Sequence, residues 1–212
     1  MQLISVNVGL PRDVTWQGRT VTTGIFKEPV AGRVRLRRLN LDGDGQADLR
    51  VHGGEHKAVY AYPKEHYAWW QRELGRDALE YGQFGENFTL SGVLEDEACI
   101  GDVFQIGTAR VQVSQPRSPC FKLDLRMGED GFLARFRAAQ RVGFYLRVLE
   151  EGDVGAGDPI TAIARDPDSL SVREIYQLRY GDLRDRDRLE RAIRLTALTP
   201  SWREAFEKQL SG

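Results

Sequence analysis

Ser114-Gln115-Pro116-Arg117-Ser118-Pro119-Cys120-Phe121-Lys122-Leu123 holds one of the two cysteines of the chain. The preceding run, Ala109-Arg110-Val111-Gln112-Val113-Ser114, alternates in character as a half-buried strand does. Pro116 and Pro119 then stop the ladder, because proline fixes φ and has no N–H to donate. The thiol is expected at the rigid mouth of a strand. Arg117 and Lys122 flank it, and nearby positive charge favours thiolate, the form that binds metals or attacks electrophiles. A cysteine also serves often as a small core hydrophobe. The residues alone leave both readings open for Cys120, whereas Cys99, in Glu97-Ala98-Cys99-Ile100, reads as core.

Working outward, the chain of 212 residues is long enough for one generous domain or a domain with a small appendage. Apolar residues at 41% and charged residues at 29% describe an ordinary globular protein. A net charge of −1, with basic and acidic residues interleaved, argues against nucleic-acid binding by bulk electrostatics. No run approaches the ~18 apolar residues of a membrane span. Met1-Gln2-Leu3-Ile4-Ser5-Val6 lacks the basic start and apolar core of a secretory signal. Two cysteines in unlike contexts do not suggest a disulfide framework, so a reducing cytoplasm is expected.

Residues 1–110 read as short strands between Gly, Asp and Pro turns, with candidates at 3–8, 20–27 and 32–39. Pro63 to Leu74 reads as a helix with Pro63 in its first turn and Gly75 at its end. His66, Tyr67 and Trp70 then share a face suited to core packing. Gly131 to Ala139 is helical, and strands follow at 142–149 and towards 163. So many short strands with Gly-rich turns point to a closed or nearly closed β-barrel decorated by helices. The composition changes at Arg165-Asp166-Pro167-Asp168. Ser171 and Glu174 have capping-box spacing, Leu183 to Leu198 carries a helical period, and Thr199-Pro200 reads as an N-cap and first turn. The expectation is a β-barrel domain over 1–164 and a three-helix domain over 165–212, docked on it.

Two stretches suggest metals without completing a site. Leu41-Asp42-Gly43-Asp44-Gly45-Gln46-Ala47-Asp48 starts like a calcium loop but lacks the twelfth-position glutamate. His52-Gly53-Gly54-Glu55-His56-Lys57 spaces two histidines as a helical pair would, yet two glycines oppose a helix and no third zinc ligand is evident. The glycine pair instead suits close approach of the backbone to another group.

Taken together, His52-Gly53-Gly54 with Lys57-Ala58, Tyr62-Pro63-Lys64-Glu65-His66-Tyr67, Phe84-Gly85-Glu86-Asn87, Tyr145-Leu146-Arg147-Val148 and the Cys120 stretch resemble the MOSC domain family. Within it the chain is most similar to the bacterial YiiM-like group of 6-N-hydroxylaminopurine reductases, which carry a short helical domain after a pyruvate-kinase-like barrel. The resemblance spans essentially the whole chain.

It implies a molybdenum cofactor (Mo-molybdopterin) with Cys120 as the one protein thiolate on the metal. Soft thiolates suit metals held by sulfur. The cofactor phosphate needs cations or convergent amides. Lys27, Arg50, Lys57, Arg117, Lys122 and the amides of Gly53 and Gly54 are the candidates. His52 and Asn87 are expected to hydrogen-bond the pterin or a metal oxygen, or else to brace loops. Ser114 and Glu86 complete the expected cofactor-binding set, and Glu86 and Asp48 would orient its donors.

The implied reaction reduces N-hydroxylated purines and related compounds. The chain has no dinucleotide fingerprint or iron–sulfur cysteine set, so a separate flavin or iron–sulfur reductase would donate the electrons. Two further classes stand beside this reading: a non-catalytic carrier of the cofactor or of sulfur, and a metal-free cysteine redox sensor.

Overall fold

The computed structural model describes residues 1–49, 52–181 and 185–211. Among the described residues the protein is sheet-rich with six α-helices. The strands are β1 (Gln2–Val8), β2 (Arg12–Trp16), β3 (Arg19–Thr23), β4 (Glu28–Pro29), β5 (Arg33–Leu36), β6 (Val59–Pro63), β7 (Phe88–Ser91), β8 (Val103–Ile106), β9 (Ala109–Pro116), β10 (Phe144–Glu150), β11 (Gly152–Gly155) and β12 (Ile160–Ala164). The helices are α1 (Glu65–Leu74), α2 (Lys122–Met127), α3 (Phe132–Ala139), α4 (Val172–Tyr180), α5 (Arg186–Arg194) and α6 (Pro200–Ser211).

Eight strands form one sheet in the order β12-β8-β9-β10-β6-β7-β1-β4. Its ladders are antiparallel except β6 beside β7. That parallel pair needs a crossover, and α1 supplies part of it. The strand order is open, so no closed barrel ladder is present among the described residues. The sheet does curl back on itself at one place. Leu3 N–H donates to Asp158 O at 2.9 Å, Gly157 N–H to Leu3 O at 2.8 Å and Ile160 N–H to Met1 O at 3.1 Å. These bonds join the start of β1 to the entry of β12.

Several local expectations hold. β9 ends at Pro116. Gly75 closes α1 in the left-handed region at φ 60°, and His66, Tyr67 and Trp70 are buried on one face of that helix. Trp70 stacks on Phe136 at 5.5 Å and donates its indole N–H to the Tyr62 hydroxyl at 2.8 Å. Both capping-box bonds of Ser171 and Glu174 are made.

Others are corrected. Pro63 ends β6, and α1 starts at Glu65. Pairing with the sheet kept Pro63 extended. The hairpin β2–β3 was missed. It turns at Gln17 and Gly18, both with positive φ (48° and 73°), the geometry of a tight two-residue turn. The expected helix from Leu183 starts, among the described residues, at Arg186 and ends before Leu195, whose backbone is extended.

The C-terminal helices are stapled to the sheet by backbone. Ile100 N–H donates to Leu170 O at 2.9 Å, Val172 N–H to Ala98 O at 2.8 Å and Thr199 N–H to Ser114 O at 3.3 Å. The Thr199 hydroxyl donates to Gln115 Oε1 at 2.8 Å, tying α6 to the end of β9 rather than to its own first turn.

Behind β6 lies a buried polar relay. His66 Nε2 lies 2.7 Å from Glu95 Oε2, Arg141 Nη1 lies 3.0 Å from His66 Nδ1, and Gly143 N–H donates to Glu95 Oε1 at 2.8 Å. Arg141 can only donate, so His66 Nδ1 accepts and its Nε2–H points at Glu95. Burial pushes the Glu95 carboxyl up, but the bonds from His66 and from the Gly143 N–H together hold it below the usual carboxylate value. A depressed folded-state pKa gives stability that is present above the unfolded value and lost as pH falls through the folded one. Glu95→Gln turns one of these bonds donor-to-donor. It is expected to cost roughly 1–3 kcal/mol in urea unfolding at pH 7, and to flatten the loss of stability of the wild type below the ordinary glutamate range. Equal midpoints at pH 7 would rule this out.

Candidate active site

After Pro116 the chain leaves the sheet and turns into α2. Leu123 N–H donates to Cys120 O at 3.0 Å, and Arg137 Nη2 donates to Pro119 O at 3.0 Å. The turn is thus fixed from both sides, with Pro119 buried and Cys120 half-buried. Cys120 is not core filling: it lines two adjoining clefts. Cys99 and Cys120 are both free thiols.

The inner cleft is open, with about 660 Å3 of empty space that includes solvent at its mouth. Eight of the expected residues reach its wall: Cys120, His52, Asn87, Arg117, Gly53, Lys57, Lys122 and Lys27. Gly54, Ser114 and Glu86 do not. Gly54 is exposed at φ 81°, just before the helical turn Glu55–Lys57. The Ser114 hydroxyl lies between the carbonyls of His56 (2.6 Å) and Tyr145 (3.0 Å), tying that turn to the sheet. Glu86 is wholly buried and accepts from the N–H groups of Gly82 (2.9 Å) and Phe84 (3.1 Å) and from the hydroxyls of Thr89 (3.0 Å) and Tyr67. Burial raises its pKa, with those bonds opposing. It shapes the Phe84–Asn87 loop from behind. Arg50 lies outside the described residues.

Arg117 dominates the electrostatics. It is 6% exposed, and its Nη1 donates to the Tyr60 hydroxyl at 2.9 Å and to Phe84 O at 2.7 Å. Its guanidinium lies 4.4 Å from the Tyr60 ring and 5.6 Å from the Phe136 ring. No described carboxylate pairs with it. A buried cation with only neutral partners is costly unless an anion completes it.

Lys27 is different, because it pairs with fully buried Asp44. Burial lowers the Lys27 pKa, and Asp44 opposes the shift. The other Asp44 oxygen accepts from Asn87 Nδ2 at 3.0 Å, while Asn87 Oδ1 accepts from Tyr60 N–H at 3.1 Å. Asn87 is therefore a brace at the cleft wall, its amide already bonded on both sides.

His52 is pushed down to about 4 by burial first, then by the charges of Lys122, Lys57 and Arg117. It is a neutral imidazole at pH 7. The cleft as a whole suits an anion.

Neither metal-loop reading survives. Asp42 pairs with Arg37 and Asp44 with Lys27, so those carboxylates are already neutralised. His66 is in the core, its Nε2 taken up by Glu95. No group of three or more His, Cys, Asp or Glu able to hold a metal occurs among the described residues.

Sequence reasoning missed Asp44, Tyr60 and Tyr145 as parts of the site. The tyrosines read as strand aromatics and gave no separate signal. Asp44 sat in a loop whose glycines carried one. A Cβ at Gly24 would fall 2.3 Å from Gly45 O, so these two backbones pack directly against each other at the cleft wall.

A MOSC domain matches residues 48–161, and a YiiM-like 3-alpha helix domain matches residues 170–212. YflK of Bacillus subtilis (strain 168) is 42% identical over 207 residues, covering 98% of this chain and 93% of that protein. A protein of Gibberella moniliformis called a reductase is 32% identical over 164 residues, covering 76% of this chain but only 29% of its own length. The crystal structure of YiiM from Geobacillus stearothermophilus superposes with a TM-score of 0.82 at 37% identity, covering 99% of this chain and 98% of that one. The chain belongs to the MOSC domain family and carries the YiiM-like three-helix domain behind it.

Proposed function

We propose that the protein is a molybdenum-cofactor-dependent reductase that removes the hydroxyl from N-hydroxylated purines and related N-hydroxylated compounds. The observation that carries this reading is the pairing, in one cleft, of an accessible thiol at Cys120 with the buried Arg117, which no described carboxylate neutralises. A thiolate-ligated metal that brings further sulfur ligands and an anionic tail fits such a wall. Family membership supports association with the molybdenum cofactor, and one relative is called a reductase. We read residues 1–164 as the barrel-like domain that holds the cofactor and 165–212 as the helical domain.

When bound, the cofactor would supply a two-electron centre that accepts the hydroxyl oxygen. Cys120 Sγ would ligate the metal. Arg117, Lys27 and Lys122, with the N–H of Gly53, would hold the anionic part. Gly53, at φ 86°, leaves little room for a side chain, because a Cβ would sit 3.2 Å from Gln46. Neutral His52 hydrogen-bonds without adding charge. Lys57 lines both clefts and has a pKa lowered by burial first and by Arg179 second. As an ammonium lining both clefts, it would serve as a proton donor to the departing oxygen. The balance is R–NHOH plus two electrons and two protons, giving R–NH2 and water. A separate flavin or iron–sulfur reductase supplies the electrons, and a reducing cytoplasm suits the unpaired thiols. No described helix is long and apolar enough to cross a membrane.

The test is turnover of N-hydroxylated bases by cofactor-loaded protein with a chemical reductant. The expected product is the parent amine. Loaded protein that produces none would favour a cofactor carrier instead.

A further inference from the structure

The outer cleft runs from Cys120 to the C-terminal helices. Arg179 and Tyr180 at the end of α4, and Ser201 and Trp202 at the start of α6, form its far wall. Its character differs from that of the inner cleft. Where the inner one is lined by cations, this one adds Phe121, Tyr180 and Trp202. Phe121 is 49% and Tyr180 51% exposed. Two half-bare aromatic rings on one concave wall, beside a thiol, mark a surface that covers something flat.

The geometry holds one of these rings still. The Tyr180 ring meets buried Trp202 edge-on at 5.9 Å, and its hydroxyl lies 2.9 Å from Ser118 Oγ. The Arg179 guanidinium sits 4.7 Å from the Trp202 ring and 5.4 Å from the Tyr180 ring. A pinned ring loses little conformational freedom when a ligand stacks on it. A fixed cation beside it favours electron-rich rings.

We propose that the three-helix unit supplies the substrate-selecting subsite: Tyr180, with Phe121 and Arg179, takes flat, electron-rich heteroaromatic rings and presents them to Cys120. The N-hydroxylated identity of the substrate rests on the reductase reading; the preference for a flat ring does not. The Ser118 bond also offers a merely structural role, because Ser118 lies two residues before Cys120. Tyr180→Phe separates the two roles, since it keeps the ring and removes the bond.

The experiment titrates protein made in a cofactor-competent host into 2-aminopurine, a flat base whose fluorescence is quenched by stacking. Saturable quenching is expected with wild type. Tyr180→Ala should weaken it about tenfold, the loss expected of one base–aromatic stack, and Tyr180→Phe should bind nearly as wild type. N-hydroxyurea, which has no ring, should not compete. Absent quenching with wild type, equal quenching by all three proteins, or Phe as weak as Ala would overturn the proposal. A turnover arm compares an N-hydroxylated purine with N-hydroxyurea. The purine KM alone should rise in Tyr180→Ala. Wild type that binds 2-aminopurine through Tyr180 but reduces neither compound overturns the reductase reading and supports the subsite. Turnover of both compounds without dependence on Tyr180 does the reverse.

Discussion

Arg117→Met is expected to strip the cofactor from the protein while leaving the cofactor-free fold as stable as before, or more so. The wild-type guanidinium is buried with no carboxylate among the described residues beside it, held by a tyrosine hydroxyl, a carbonyl and two ring faces. Taking such a charge out of water costs several kcal/mol. Methionine has similar reach and packs well against the Tyr60 and Phe136 rings. The change leaves Phe84 O short of a donor, which costs ~1–3 kcal/mol. The Tyr60 hydroxyl still donates to Val142 O at 2.8 Å. The two costs oppose each other, and the larger is the one removed. For an anionic ligand the balance is one-sided, because charge-assisted hydrogen bonds worth about 1.5–3 kcal/mol each disappear. Cofactor retention after gel filtration should fall by an order of magnitude or more. Denaturant unfolding of the cofactor-free protein should show no loss. A variant that keeps wild-type pterin content would contradict this account of Arg117.

Much of the fold was legible because it rests on local chemistry. Pro116 ends β9 because it cannot donate to the next ladder position. Ser171 and Glu174 make both bonds that their spacing promises, and Gly75 takes the left-handed turn that closes α1. The Cys120 turn and the His52–Gly53 turn, 68 residues apart in sequence, do meet in one cleft. Their approach was implied by family resemblance rather than by either stretch alone.

What sequence did not disclose depends on curvature and on distant partners. Asp44 looked like part of a calcium-type loop. Only the fold brings it against Lys27 and Asn87, 17 and 43 residues away. Glu86 and Ser114 were expected at the cofactor, yet both are braces, one behind the Phe84–Asn87 loop and one under the turn that carries Lys57. Their roles depend on which way the backbone faces, and the residue types do not determine that. The contribution of Tyr180 was invisible for the same reason: it follows from how α4 and α6 dock beside Ser118.

Cys120→Ala is expected to abolish molybdenum binding with the fold intact. The side chain is half-buried on a turn fixed by Pro119, Arg137 and the start of α2, so truncation removes little packing. It does remove the one thiol on the cleft wall, and the other cysteine lies elsewhere, near Arg165 and Asp102. The decisive measurement is molybdenum per chain in wild type, Cys120→Ala and Cys99→Ala made side by side in a cofactor-competent host. Near-stoichiometric metal in wild type and Cys99→Ala, with background metal in Cys120→Ala, is the predicted result; equal molybdenum in all three proteins would contradict the account.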